Sequence, residues 1–151
     1  MQHDSASSLD DADRSLLETA LAATDNAYAP YSNFHVGAAA RLANGEIITG
    51  TNQENASFPV GICAERTLLS VAATLYPGVA IDTIAISYRA VHGISDKPIT
   101  PCGICRQTLK EYEGRVGHPI RLVLGGIEGP VIILDNISAL LPLSFGSEDL
   151  K

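Results

Sequence analysis

Cys63, Cys102 and Cys105 are the only cysteines in the chain, and an odd set of thiols suits a metal better than internal disulfides. Cys102-Gly103-Ile104-Cys105, placed at the start of a helix, brings two sulfurs together within one turn. Cys63 stands where a second helix should begin. Zinc takes soft ligands in a tetrahedron, and the partial positive charge at a helix N-terminus favours thiolates there. Three thiolates on a dication leave a net −1, which Arg66, three residues after Cys63, is placed to offset by hydrogen bonds to sulfur. The four histidines, His3, His35, His92 and His118, lie in no ligand motif, so no fourth protein ligand suggests itself. Structural zinc sites are closed by four ligands, whereas catalytic ones keep a position for water. Taken alone, Cys102-x-x-Cys105 is weak evidence for a metal, and buried, unreactive thiols are the simpler reading. Glu65, two residues after Cys63, shifts the balance, because it is near enough to such a metal to carry protons without binding it. An isolated Glu there would be an ordinary carboxylate in a helix's first turn.

The elements that must hold these residues can be read from periodicity. Residues 1–9, rich in Ser and Asp, read as a disordered acidic tail, and residues 10–151 as a single catalytic domain. From Asp10, the residues Leu16, Leu17, Ala20, Leu21, Ala27 and Tyr28 share one side of a helix that Pro30 closes. His35–Leu42 and Glu46–Thr51 read as strands joined at Asn44-Gly45, a pair that supplies two consecutive positive φ values for a two-residue hairpin turn. Cys63 to about Leu75 is helical in composition and Ile81–Tyr88 is a strand. Pro101 suits a first helical position, and Cys102 to about Tyr112 follows as a third helix. Ile120–Leu124 and Val131–Leu134 are separated by only Gly125–Pro130. That is too short for a parallel crossover, so the last two strands should be antiparallel. The order predicts an α/β fold with a mixed five-stranded sheet and helices packed on it.

Composition narrows the function classes. A chain of 151 residues with 46% hydrophobic and 18% charged residues is large enough for one sizeable core. The net charge is −7, and no basic patch is available to neutralise phosphates, which argues against a nucleic-acid partner. No apolar run approaches the roughly 20 residues needed to span a bilayer, and the acidic N-terminus lacks the basic flank and apolar stretch of a signal peptide. A cytoplasmic location and no membrane partner are expected.

Four blocks stand in order along the chain: Tyr31-Ser32-Asn33-Phe34-His35-Val36-Gly37-Ala38-Ala39, Asn52-Gln53-Glu54-Asn55-Ala56, Cys63-Ala64-Glu65-Arg66-Thr67 and Pro101-Cys102-Gly103-Ile104-Cys105-Arg106-Gln107. Leu141-Pro142-Leu143-Ser144-Phe145 adds a weaker fifth. Over residues 10–150 the sequence resembles the cytidine deaminase family, the small homotetrameric type acting on free nucleosides. Cys-x-Glu followed by Pro-Cys-x-x-Cys is itself the arrangement of zinc deaminases. The resemblance implies a cytidine-deaminase-like three-layer fold and one zinc per chain on Cys63, Cys102 and Cys105, with Glu65 as proton shuttle. It implies that Asn52 and Glu54 bind the ribose hydroxyls, and that backbone groups near Ala64 and Cys102 hold the reacting amino group. It places Phe34 beside the base, and Phe145 in the active site of a neighbouring subunit of a homotetramer. The substrate implied is cytidine or deoxycytidine, deaminated for pyrimidine salvage. Phe58 stands where many relatives have Tyr, and Leu68 where a smaller residue is common. Neither His35 nor the tail receives a role.

A blasticidin-S-type deaminase shares Cys-Ala-Glu and Pro-Cys-x-x-Cys, but the Asn52-x-Glu54-Asn55 block and Phe145 favour a nucleoside. Polynucleotide deaminases typically carry His as first ligand and a helix between the last two strands, against Cys63 and the short final hairpin here. A non-catalytic structural zinc module leaves Glu65 and the open coordination position without a purpose.

Overall fold

The computed structural model describes residues 1–151. Three helices and six strands form it: β1 (Gln2–His3), α1 (Asp11–Ala23), β2 (Phe34–Leu42), β3 (Ile47–Thr51), α2 (Ala64–Leu75), β4 (Ile81–Ala90), α3 (Gly103–Val116), β5 (Arg121–Gly125) and β6 (Val131–Leu134). They make one sheet in the order β1-β6-β5-β4-β2-β3. Only β4 and β5 run parallel, with α3 crossing between them, and β5 and β6 pair antiparallel as their short connection requires. No helix is long and apolar enough to cross a membrane.

Alternation along the strands sorts side chains into two cores. Ala38, Ala40, Leu42, Ile84, Ile86, Leu122 and Leu124 face α2 and α3. Ala39, Ala85, Val123, Val131 and Ile133 pack with Leu16, Leu17 and Ala20 of α1. The result is helix, sheet, helix pair, with the cysteine-bearing helices on one face. α1 begins at Asp10, whose carboxylate accepts from the Asp13 N–H at 2.8 Å. Asp13, 2% exposed, takes both guanidinium arms of Arg121 at 2.6 Å and 2.6 Å, tying α1 to the start of β5. Such a buried carboxylate requires a bidentate partner.

Six strands replace the expected five. The additional strand, Gln2–His3, lies in the acidic segment whose composition reads as a disordered tail. It pairs antiparallel with Val131 and Ile132, and the N-terminal ammonium donates to the Ile133 carbonyl at 2.6 Å. The open edge of β6 supplies unpaired backbone groups, and Leu9, 5% exposed, anchors the far end of the segment in the α1 core.

Three local expectations are also revised. α1 ends at Ala23 with a 3-10 turn over Thr24–Asn26, so Ala27 and Tyr28 are not helical. Tyr28 instead exchanges backbone hydrogen bonds with Asn52 and Glu54, at 3.0 Å and 2.8 Å, a demand from distant residues that outweighs helical periodicity. At the hairpin only Gly45 has positive φ, at 89°. The Gly45 N–H donates to Leu42 and the Leu42 N–H to Glu46, giving a three-residue loop closed by glycine rather than a two-residue turn. Pro101 precedes the N-cap residue Cys102 and stands outside the helix.

Gly37 sets the spacing of α1 on the sheet, since a Cβ there would lie 2.0 Å from the Ala20 carbonyl oxygen. We expect Gly37→Ala to destabilise the protein by about 3 kcal/mol through overpacking. Gly114→Ala, in helix α3 with open space around it, should gain about 0.5–1 kcal/mol. Urea unfolding of both variants checks the contrast, and equal effects would show that α1 does not rest on Gly37.

Candidate active site

Cys63 is the N-cap residue of α2 and Cys102 that of α3, both with extended backbone. Neither thiol caps its helix, so both sulfurs are free to ligate. Cys105 lies within the first turn of α3 and is fully buried. The Cys63 and Cys102 sulfurs stand 3.8 Å apart and those of Cys102 and Cys105 3.5 Å. All three lie within 4.8 Å of one another. Sulfurs bound at ~2.3 Å to a tetrahedral zinc are about 3.8 Å apart. The donor set fits zinc in type and in spacing.

The electrostatics suit an anionic cluster. A hydrogen bond from Cys105 pulls the Cys63 thiol down to about 6, helped by Cys102 and the Arg66 charge and opposed by burial and Glu65. The same contact with Cys63, together with burial, pushes Cys105 up. Arg66 therefore acts on the cluster by charge; the hydrogen bond to sulfur expected from its spacing is not formed. Its side chain lies instead in a hollow between α2 and α3 with Glu111, Tyr112 and Arg115.

Glu65 is 5% exposed, and burial raises its carboxyl above the usual range. A carboxyl raised in this way holds a proton more readily than an exposed one, as a group that carries protons must. It opens, with Cys63, Ala64 and Cys102, into a cavity of about 420 Å³ also lined by Ser32, Phe34, Val36, Asn52, Ile99 and Thr100. Phe34 is the only aromatic in this lining.

Asn52 and Glu54 reach the region along a chain fixed by Tyr28. The Asn52 amide accepts from the Val36 N–H at 2.8 Å and donates to the Phe34 carbonyl at 2.9 Å, leaving one N–H uncommitted. Glu54 accepts from the Ser32 hydroxyl and from the N–H groups of Tyr31 and Ser32, at 3.0 Å and 3.3 Å for the latter two. The Ser32 hydroxyl, above all, holds the Glu54 carboxyl below its ordinary value. Glu54 lines an adjoining cavity that shares Ser32 with the first.

Phe145 is not brought into this cavity. It is 59% exposed, and its carbonyl accepts from the Gln107 amide at 3.0 Å. Val36, Ile99 and Thr100 were not anticipated as cavity residues. Thr100 has a signal in retrospect, adjoining Pro101-Cys102, whereas Val36 and Ile99 read as ordinary apolar residues. Arg106 spans Pro101, Thr100 and Leu140 with hydrogen bonds of 2.7, 3.1 and 3.0 Å, connecting the cavity wall to the C-terminal segment.

A helix–sheet–helix-pair fold with three convergent thiols and a buried carboxyl at two helix N-termini defines a zinc hydrolytic centre. Residues 10–116 match the cytidine and deoxycytidylate deaminase zinc-binding region. The chain is 38% identical over 136 residues to a cytidine deaminase of Halalkalibacterium halodurans, covering 90% of this chain and 96% of that one. It is 35% identical over 130 residues to one from Sporosarcina psychrophila, covering 85% and 88% respectively. The crystal structure of cytidine deaminase from Burkholderia pseudomallei superposes with a TM-score of 0.74 at 41% identity, covering 87% of this chain and 97% of that chain. The chain belongs to the cytidine and deoxycytidylate deaminase family.

Proposed function

We propose that the chain hydrolyses the 4-amino group of cytidine and deoxycytidine, giving the uracil nucleoside and ammonia, in pyrimidine salvage. The observation that carries this reading is the opening of Cys63, Cys102 and buried Glu65 into one cavity, with Cys105 completing the sulfur set. A structural zinc module has no use for a buried carboxyl at that position.

Cys63, Cys102 and Cys105 would hold zinc, which would supply Lewis acidity and lower the pKa of water to about 7. Glu65 accepts the proton of the attacking water and delivers it to N3 of the pyrimidine, making C4 electrophilic. The water oxygen bonds to C4; Glu65 then takes the remaining proton from the C4 hydroxyl and passes it to the amine, so that the C4–N4 bond breaks, C4 becomes a carbonyl and ammonia leaves. Backbone groups near Ala64 and Cys102 orient the amino group and the new C4 oxygen. Phe34 lies beside the base. The free N–H of Asn52 and the remaining acceptor capacity of Glu54 bind the ribose hydroxyls. Ammonia release measured with cytidine, deoxycytidine, blasticidin S and a cytosine-containing oligonucleotide tests the substrate class. Turnover of blasticidin S or the oligonucleotide in preference to the nucleosides would overturn it.

Residues 10–151 act as one catalytic domain, with the preceding segment joined to it through β1 and Leu9, and the location expected is the cytoplasm. The active assembly is a homotetramer in which Phe145 completes a neighbour's site. Its exposure, beside that of Phe58 at 73% and Val60 at 64%, supports a partner surface. Glu65→Gln and Phe145→Ala assemblies should then each be impaired. Co-refolded in equal amounts, they should regain activity at about a quarter of their sites. Mixed assemblies, verified by native mass spectrometry, that show no gain would rule out the shared site.

A further inference from the structure

Phe34 is fixed by three groups, none of which is assigned a contact with a reacting atom. Its N–H donates to the Ser32 hydroxyl at 3.1 Å, and its carbonyl accepts from the Asn52 amide at 2.9 Å. These hold its backbone. The ring is held separately, by Tyr88 of β4, at 5.0 Å between centroids and 22° between planes. Register makes this contact possible. Val36 is opposite Tyr88 and Phe34 opposite Ala90, so the two aromatic side chains are diagonal neighbours on one sheet face, within reach of large rings. Tyr88 is itself 2% exposed, which limits its freedom to move. By alternation it shares its face with Ile84 and Ile86, where a third aliphatic residue would fill the core without offering a flat surface.

We propose that Tyr88 is a positioning residue for the base: it sets the plane of the Phe34 ring, and through it the affinity for the cytosine nucleoside. This rests on the placement of Phe34 beside the base. A stacked aromatic pair contributes about 0.5–1.5 kcal/mol beyond its buried area, a factor of about 2 to 10 in affinity. Because Tyr88 touches no reacting atom, its loss weakens ground and transition states alike and appears in KM, not kcat.

The test measures kcat and KM for cytidine in the zinc-loaded enzyme carrying Tyr88→Phe, Tyr88→Ile, Phe34→Leu and Phe34→Leu/Tyr88→Ile. Tyr88→Leu replaces Tyr88→Ile if the latter does not accumulate as folded protein. We expect Tyr88→Ile to raise KM about 3- to 10-fold with kcat changed less than about twofold, and Tyr88→Phe to keep the parent KM. In the Phe34→Leu background Tyr88→Ile should add nothing further, since the two residues act through one ring. A parent-like KM in Tyr88→Ile, or an undiminished effect in the Phe34→Leu background, would overturn the inference while leaving Phe34 beside the base. An unchanged KM in Phe34→Leu would overturn that placement, and the inference with it.

Discussion

Glu65→Gln should leave a folded, zinc-loaded protein whose kcat falls by at least ~10²–10⁴, the range of general acid–base catalysis. The substitution keeps side-chain shape in a position that is 5% exposed, so the core around α2 has no reason to repack. It removes only the capacity to carry a proton between water, N3 and the leaving amine. Burial raises the Glu65 carboxyl above its ordinary range, which equips it to give the proton back as well as accept it, and no amide can do either. The contacts assigned to Phe34, Asn52 and Glu54 are untouched, so the loss should fall mainly on kcat. Steady-state kinetics at neutral pH, paired with elemental analysis for zinc, separate this outcome from loss of metal. Unimpaired turnover in a zinc-loaded variant would remove Glu65 from the mechanism.

Cys102→Ala should lose the zinc that the parent binds at one per chain. Activity should fall at least ~10³-fold, because Lewis acidity contributes several kcal/mol to the barrier and each ~1.4 kcal/mol is tenfold. The choice among the cysteines matters. Cys102 is exposed, Cys63 intermediate and Cys105 buried. Removing the Cys105 side chain leaves a hole in the interior in addition to a missing ligand. Removing Cys102 takes away a sulfur that caps nothing, so the metal-free variant should unfold at the same urea concentration as the metal-free parent. Zinc should stabilise only the parent, by mass action on the folded state. A fully active Cys102→Ala protein without zinc would overturn the metal site; equal zinc affinity in variant and parent would remove Cys102 from its ligands.

Much of this protein was determined locally and was therefore legible in the sequence. His35–Leu42, Ile81–Tyr88, Ile120–Leu124 and Val131–Leu134 could be read as strands, because short apolar runs bounded by turn residues are local features. The short connection before Val131 required antiparallel pairing by chain length alone. Cys102-x-x-Cys105 could be read as two sulfurs of one cluster because spacing within a helix's first turn is a property of a few consecutive residues, and the structure brings Cys63 to them. Other features depended on residues far apart in the chain. Tyr28 left the helical pattern because Asn52 and Glu54, after β3, take its backbone hydrogen bonds. The strand at Gln2–His3 exists because β6 offers an edge, a condition invisible in an acidic, serine-rich segment. Arg66 followed the hollow between α2 and α3, and not the sulfur that its sequence distance suggested. Tyr88 was only the last residue of the strand read over Ile81–Tyr88 until the register of β2 on β4 placed it against Phe34. Sequence spacing determines which side chains share a turn or a strand face. Which strand lies opposite, and at what offset, is settled only when the whole sheet has assembled.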